Sequence, residues 1–415
     1  MMSSARYANE LSKPSITGGW GPLHNARFRN LWIAALASNA GSWMHVVAAA
    51  WLMTTLTTSP VMASLVQTAS TLPSFLLALP AGALADSVDR RRLLLWTQSW
   101  MLAAAAILGI TTLAGATGPW TLLGLTFALG LGTAVNAPAW GASIPDLVPP
   151  EQLASAVTLN SVQFNAARAL GPAVAGIVLA SSGPAAAFLL NAVSFVGVLV
   201  AIFAWKASPR QTLALSTLGP SIREGLRFVG RDRQLKMILL RAGGFVLFGS
   251  ALWALLPVLA RQRLHASEAR FGLMLSALGA GAATSGLWLS RNRSQWRSGT
   301  LLAGGVAVFA LVNFGLSRLT RIGPAYLWLV AGGLAWVAVM SSLNVAAQRA
   351  LPDWVRARGL SVYLLVFQGG MALSSWVWGV VASALGISTA MLLASAGLTV
   401  IACLIYFHPD DQNFG

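Results

Sequence analysis

The chain is poor in charge. Asp, Glu, Lys and Arg make up 9% of its 415 residues, against about 25% in a soluble domain. So little charge cannot cover a soluble globule of this length, and an integral membrane protein follows. Cysteine is nearly absent. Cys403 stands alone in an apolar run, which excludes an intramolecular disulfide and a cysteine-built metal site. The four histidines, at 24, 45, 265 and 408, show no ligand spacing, so no metal and no other cofactor is expected. The chain lacks HExxH, a GxSxG elbow and a GxxxxGK[ST] phosphate loop, so no enzyme reading gains support. With no ATP-binding segment, any work this chain does must run on a gradient, unless a separate ATPase chain exists. Acidic residues are scarcer than basic ones, 11 against 27, which leaves a net charge of +16. The basic residues fall between apolar runs. Membrane lipid and membrane orientation account for them, and nucleic acid does not. Residues 1–30 have no apolar centre of the kind a signal peptide needs and read as a cytoplasmic tail.

What is present is apolar and long. Residues in the hydrophobic class make up 56% of the chain, and there are 40 glycines. A helix needs roughly 20 apolar residues to cross a bilayer. Spans are expected near 31–54, 60–84, 93–115, 119–140, 156–181, 185–205, 237–260, 267–290, 299–317, 323–346, 358–384 and 387–407. The fold class is therefore all-α integral membrane, with twelve transmembrane helices. With an inside N-terminus, the inner segments hold Arg6, Lys13, Arg27, Arg29, Arg90, Arg91, Arg92, Lys206, Arg210, Arg223, Arg227, Arg231, Arg233, Lys236, Arg291, Arg293, Arg297, Arg349, Arg356 and Arg358. The opposite side holds only Arg261, Arg263, Arg270, Arg318 and Arg321. This bias places both termini in the cytoplasm of a plasma (inner) membrane protein.

The chain repeats itself. IPDLVPPEQL (144–153) and LPDWVRARGL (351–360) resemble each other, as do GALADSVDR (82–90) and GLWLSRNRS (286–294). Both offsets match six spans, a link and six more spans. Two pseudo-symmetric lobes, 31–205 and 237–407, follow, with a substrate site expected near the midplane between them. The link, 206–236, places Ile222, Leu226 and Val229 at helical spacing beside Arg223, Arg227 and Arg231. It reads as a basic amphipathic helix on the cytoplasmic membrane surface. Residues 408–415 read as a cytoplasmic tail.

GALADSVDRRR (82–92) resembles the major facilitator superfamily signature G-x-L-a-D-r-x-G-R-R between the second and third helices. Gly82, Leu84, Asp86, Arg90 and Arg91 match it, and Asp89 stands where glycine is usual. Further stretches, among them GSWMHVVAAAWLMTTLTTSP (41–60), NAPAWGASIPDLVPPEQLASAVTLNS (136–161) and LPDWVRARGLSVYLLVFQGG (351–370), are similar to the enterobactin-exporter branch, the transmembrane secretion effectors. The resemblance implies a two-lobed exporter of drug-like or siderophore-like compounds, driven by a proton gradient. ARALGPAVAG resembles the helix-5 antiporter motif, with Gly171, Pro172 and Gly176 in place. In the family it bends helix 5 and packs it tightly. Drug antiporters often carry a proton-coupling arginine on helix 4, and this span 4 has none.

None of the eleven acidic residues lies mid-span, although proton relays in transporters commonly use an intramembrane carboxylate. The ionisable residues inside spans are His45, Arg168 and Arg241. Arg168, beside the Gly171-Pro172 bend, is expected to face the central cavity and hold an anionic or hydrogen-bonding substrate. Arg241, near the start of span 7, is placed to snorkel or to join the site. His45 is the mid-membrane proton carrier by residue type. Asn160, Gln163 and Asn165 precede Arg168 on one helix, and Asn39, Gln67, Asn136, Asn191, Asn344 and Gln368 are further polar residues within spans. They suit either a site or hydrogen bonds between helices. Trp43, Trp253 and Trp336 are candidate cavity walls.

The sequence thus points to a monomeric secondary transporter that exports small amphipathic or anionic molecules, with protons as coupling ion. An uncoupled or uptake facilitator, and a non-transporting scaffold or sensor on the same fold, are the alternatives. GALADSVDRRR itself reads as a gate latch. Asp86 would reach Arg356, Arg358 and the start of helix 11, and Asp353 would reach Arg90 or Arg91. Asp146 and Glu151 would meet Arg291, Arg293 and Arg297.

Overall fold

The computed structural model describes residues 19–205, 230, 232–292, 298–352 and 356–407. Among the described residues the chain is a helical bundle. The first lobe holds α1 (Ala26–Leu56), α2 (Pro60–Ser87), α3 (Arg90–Leu113) and α4 (Pro119–Ser143). A helical stretch over Leu153–Phe203 follows. Its 51 residues would reach ~76 Å at 1.5 Å per residue, far beyond the ~30 Å hydrocarbon core. Gly183, at φ 73° and ψ 179°, breaks it in a region that favours glycine, and Pro184 restarts it. The halves are α5 (153–182) and α6 (184–203). The second lobe holds α7 (Arg233–Val258), α8 (Glu268–Asn292), α9 (Ser298–Arg318), α10 (Gly323–Ala350), α11 (Arg356–Leu385) and α12 (Ile387–Phe407). Eleven described helical stretches are long and apolar enough to cross a bilayer, one of them the double α5–α6. This gives the twelve expected crossings.

Local chemistry sets the ends. Asn25 caps α1, accepting from the Arg27 amide at 3.0 Å, and its Nδ2 donates to the Leu147 carbonyl at 3.0 Å. The first helix therefore starts five residues before the apolar run at Leu31. Asp89 caps α3 by accepting from the Arg92 amide at 2.8 Å. Asp232 caps α7 by accepting from the Leu235 amide at 2.6 Å, so α7 takes in residues the sequence assigns to the link. Such caps satisfy amides that have no partner within the helix. The amphipathic helix expected over the link falls almost wholly outside the described residues, as do most of the N-terminal and all of the C-terminal tail.

Within the lobes α1 packs on the α5–α6 pair, α2 on α4, α8 on α10 and α9 on α12. Between the lobes α2 meets α11 and α5 meets α8. The sequence repeat pairs α2 with α8 and α5 with α11, so it exchanges these two contacts. The interiors differ. In the second lobe Trp336 lies 5.5 Å from Phe245, 5.7 Å from Phe309 and 5.4 Å from Trp253. The first lobe holds an amide cluster, with Asn136 Oδ1 accepting from Thr97 Oγ1 at 3.1 Å and from Gln98 Nε2 at 3.2 Å. Large apolar side chains cover the outside, among them Leu327, Ile177 and Val193. Lipid, not water, suits such a surface.

Candidate functional site

A cavity of about 900 Å³ lies between the lobes. The first lobe contributes Trp43 and Ala50 from α1, Gln67 from α2, and Thr158, Ser161, Asn165, Arg168 and Pro172 from α5. The second lobe contributes Trp253 and Pro257 from α7, Phe271 to Leu287 along α8, and Gly333, Trp336, Ser341 and Asn344 from α10. The lining reaches to within about one and a half turns of the ends of α5, α8 and α10 at which Arg90, Arg91, Arg92, Arg291 and Arg349 cluster. This is the basic end of the bundle.

At the far end the lobes are joined. Trp51 Nε1 on α1 donates to Glu268 Oε1 on α8 at 3.1 Å. The Trp51 ring stacks on Phe271 at 5.1 Å and carries the Arg261 guanidinium 5.2 Å from its centre. Gln262 Nε2 donates to the Thr58 carbonyl at 2.8 Å. Beneath this cluster α5 and α8 cross backbone to backbone. A Cβ on Gly176 would stand 2.5 Å from the Gly272 Cα, so only glycine permits the approach. The cavity is therefore shut at the far end and runs to the basic end.

The helix-5 motif does three separate jobs. Gly171 packs on α1, where a Cβ would stand 2.5 Å from Trp43 Cβ. Pro172 lines the cavity, and Gly176 makes the crossing with α8. Arg168 lies one turn before the proline and lines the cavity. Its guanidinium lies 5.7 Å from the centre of the Trp43 ring, within cation–π range. No hydrogen bond or ion pair reaches it among the described residues, and no other ionisable residue is among the described lining. Asn165 shares the wall, with Nδ2 turned to the Ser161 carbonyl of its own helix at 2.8 Å. Trp43, Trp253 and Trp336 all line the space, as do Gln67 and Asn344.

The structure places the other sequence candidates away from the cavity. His45 is buried within the first lobe, with Nε2 3.4 Å from Thr126 Oγ1 and its ring 5.0 Å from Phe188. Asn160 Oδ1 accepts from Trp140 Nε1 at 2.9 Å. Gln163 is buried off the cavity, and half-buried Arg241 is absent from its walls. Neighbours in sequence part here because Asn160 and Gln163 face α4 and the lobe interior while Asn165 and Arg168 face the gap.

GALADSVDRRR is also arranged differently from a free turn. Gly82, Leu84 and Asp86 belong to α2, which runs to Ser87, and only Val88 and Asp89 separate it from α3. Arg90 Nη1 pairs with Asp146 Oδ2 at 3.2 Å and donates to the Ala142 carbonyl at 2.8 Å. Arg91 donates from Nε to the Ile202 carbonyl at 3.2 Å and from Nη2 to that of Phe203 at 3.0 Å. These contacts all stay within the first lobe, so Arg90 meets Asp146 where the sequence suggested Asp353. Glu151 and Arg291 are exposed. The side chains of Asp86, Arg293, Asp353, Arg356 and Arg358 lie outside the described set. The sequence did not single out the Trp51–Glu268 contact. Its one signal is that Glu268 alone of the acidic residues falls at the far end.

Two six-helix lobes around a central cavity, closed at one end, define a membrane transporter of the major facilitator type and not an enzyme. The chain belongs to the transmembrane secretion effector family, whose profile matches residues 17–410. It is 26% identical to the staphyloferrin A transporter of Staphylococcus aureus, over 88% of this chain and 92% of that protein. It is 25% identical to the multidrug efflux pump Tap of Mycolicibacterium fortuitum, over 91% and 94%. Among solved structures it superposes on a bacterial homologue of the lysosomal transporter Spinster in an inward-facing, occupied conformation. The TM-score there is 0.73 at 15% identity, covering 93% of this chain and 97% of that one. The nucleoside transporter NupG gives 0.71 at 12% identity, covering 92% and 99%. These two likenesses concern the fold.

Proposed function

We propose that this chain exports small amphipathic anions, siderophore-like or drug-like, by alternating access. The supporting observation is the cavity: among the described residues one wall carries a lone guanidinium with amides and hydroxyls, and the other is mostly Trp253, Trp336, Phe271 and aliphatic side chains, with Ser341 and Asn344 toward its basic end. A ligand with an anionic head and an apolar body matches both walls. Relatives named for a siderophore and for multidrug efflux agree in class. In this reading the basic end is cytoplasmic, the protein is a monomer of the inner membrane, and the structure is the state that loads from inside. The Asp86 latch belongs to the opposite state, in which the basic end closes.

Inside-out vesicles with a panel of siderophores, dyes and antibiotics test this. Uptake of anionic members is expected, with loss in Arg168→Ala at unchanged membrane insertion. If no compound moves, or if Arg168→Ala transports as the parent does, the reading fails. Proton antiport, which the family resemblance implies, needs a titratable carrier. Among the described residues His45 is the one histidine or carboxylate in the interior of a span. His45→Gln should then alter the pH dependence of transport, and an unaltered profile removes His45 from the cycle.

A further inference from the structure

The charge of the cavity bears on what the transporter carries on its return leg. Arg168 is the only ionisable side chain among the described lining, and no carboxylate stands with it. Its one close partner is the Trp43 ring at 5.7 Å. A ring face attracts a cation but cancels no charge. While the cavity runs to the basic end, water can solvate the guanidinium. To present the site to the far end, the lobes must close over it, and closure removes that water. A charge enclosed without its opposite is strongly unfavourable relative to the same charge in a well hydrogen-bonded pair.

The empty and loaded cavities therefore differ. Closed and empty, the site encloses one positive charge. Closed around a monoanion, it encloses none. A proton in the anion's place would make matters worse, because arginine stays protonated and the enclosed charge would rise. From these observations we propose that the transporter is an anion exchanger: an outgoing amphipathic anion is replaced on Arg168 by an incoming anion, and the empty carrier returns slowly. This rests on the reading of the cavity as an anion site. It adds the chemical class of the counter-substrate, a small organic or inorganic anion that needs only the head-group half of the site. The exchange is electroneutral when both anions carry the same charge, so an opposing anion gradient drives export without a proton.

The whole chain reconstituted in liposomes tests this, with labelled 8-anilinonaphthalene-1-sulfonate and labelled methanesulfonate, both monoanions, as probes. Each is loaded inside, and its efflux is timed into buffer without a permeant anion and into buffer with the same probe unlabelled. The expected result is that the opposing anion speeds efflux by about a hundredfold, as the cost of enclosing a bare charge implies. Arg168→Lys should keep that ratio high, because it keeps the charge. Arg168→Gln should bring the ratio close to one by lowering exchange and freeing the empty return. Tryptophan fluorescence of each variant checks that it is folded. Equal rates with and without the opposing anion overturn the exchange proposal, as does uphill movement driven by a pH gradient alone. If neither probe moves in the unaltered protein under any condition, the anion-site reading fails along with it.

Discussion

The two ends of this bundle hold themselves together in opposite ways. At the far end the contacts run between the lobes: Trp51 to Glu268, Gln262 to Thr58, and α5 against α8 at Gly176 and Gly272. At the basic end the contacts described for Arg90 and Arg91 run within the first lobe: Arg90 to Asp146 and Ala142, and Arg91 to Ile202 and Phe203. An end that is shut spends its polar groups on its neighbour lobe. An end that is open satisfies them at home. Alternating access, on this view, exchanges the two patterns while each lobe keeps its own core. Each core has directional bonds to hold it: Asn136 to Thr97 and Gln98 in the first lobe, and Ser250 to Ser374 beside the ring cluster around Trp336 in the second.

That contrast can be broken at its tightest point. Gly272→Leu puts a side chain where two backbones touch, with no flexible neighbour to yield. Transport should fall by at least ~100-fold, and spin labels on 57–59 and 264–266 should move apart. Normal transport would mean that the far end never needs to close. A smaller change is expected from Glu268→Gln. It keeps an acceptor for Trp51 but removes the charge on it, which weakens the bond by about 1 kcal/mol. The far-end-open population should rise about fivefold by the same label distances. Trp51→Phe removes the bond outright and should raise that population at least as much, and adding Glu268→Gln to it should change little, because the bond is already gone. Additive effects would show that the two residues act separately. The smallest effect concerns the basic end. Asp86→Asn should slow transport a few-fold without affecting insertion if that end closes through a latch between lobes. An unchanged rate would leave the basic end without one.

Much of this architecture was legible in the sequence, and the limits have physical causes. Apolar length gave the twelve crossings, since a helix in lipid has no other way to satisfy its backbone. Helix ends were less visible because caps set them. Asn25 and Asp232 extend α1 and α7 into residues that hydropathy assigns to a tail and a link. Facing was least legible. In water the apolar stripe of a helix points inward, but here both the lipid side and the packed side are apolar, so the 3.6-residue period fades. Arg168 was still placed toward the cavity, because a charge within a span must find water or a partner. His45, Asn160 and Gln163 carry no such compulsion. An amide can find its partner within a lobe, as Asn160 does in Trp140, and His45 and Gln163 are buried there as well. The Trp51–Glu268 contact joins residues 217 positions apart, and neither has a local pattern that names the other.

On this reading Arg168, the one charged side chain among the described lining, selects anions. Two probes with nearly the same ring body test it most directly: 8-anilinonaphthalene-1-sulfonate, which is an anion, and N-phenyl-1-naphthylamine, which is neutral. Binding is followed by quenching of tryptophan fluorescence in the purified protein, with Trp43, Trp253 and Trp336 in the cavity walls as reporters. The sulfonate is expected to bind at least ~10-fold more tightly, as a charged hydrogen bond of about 1.5–3 kcal/mol implies, and Arg168→Ala should make the two affinities equal. Equal binding in the unaltered protein, or a preference that survives Arg168→Ala, would contradict it.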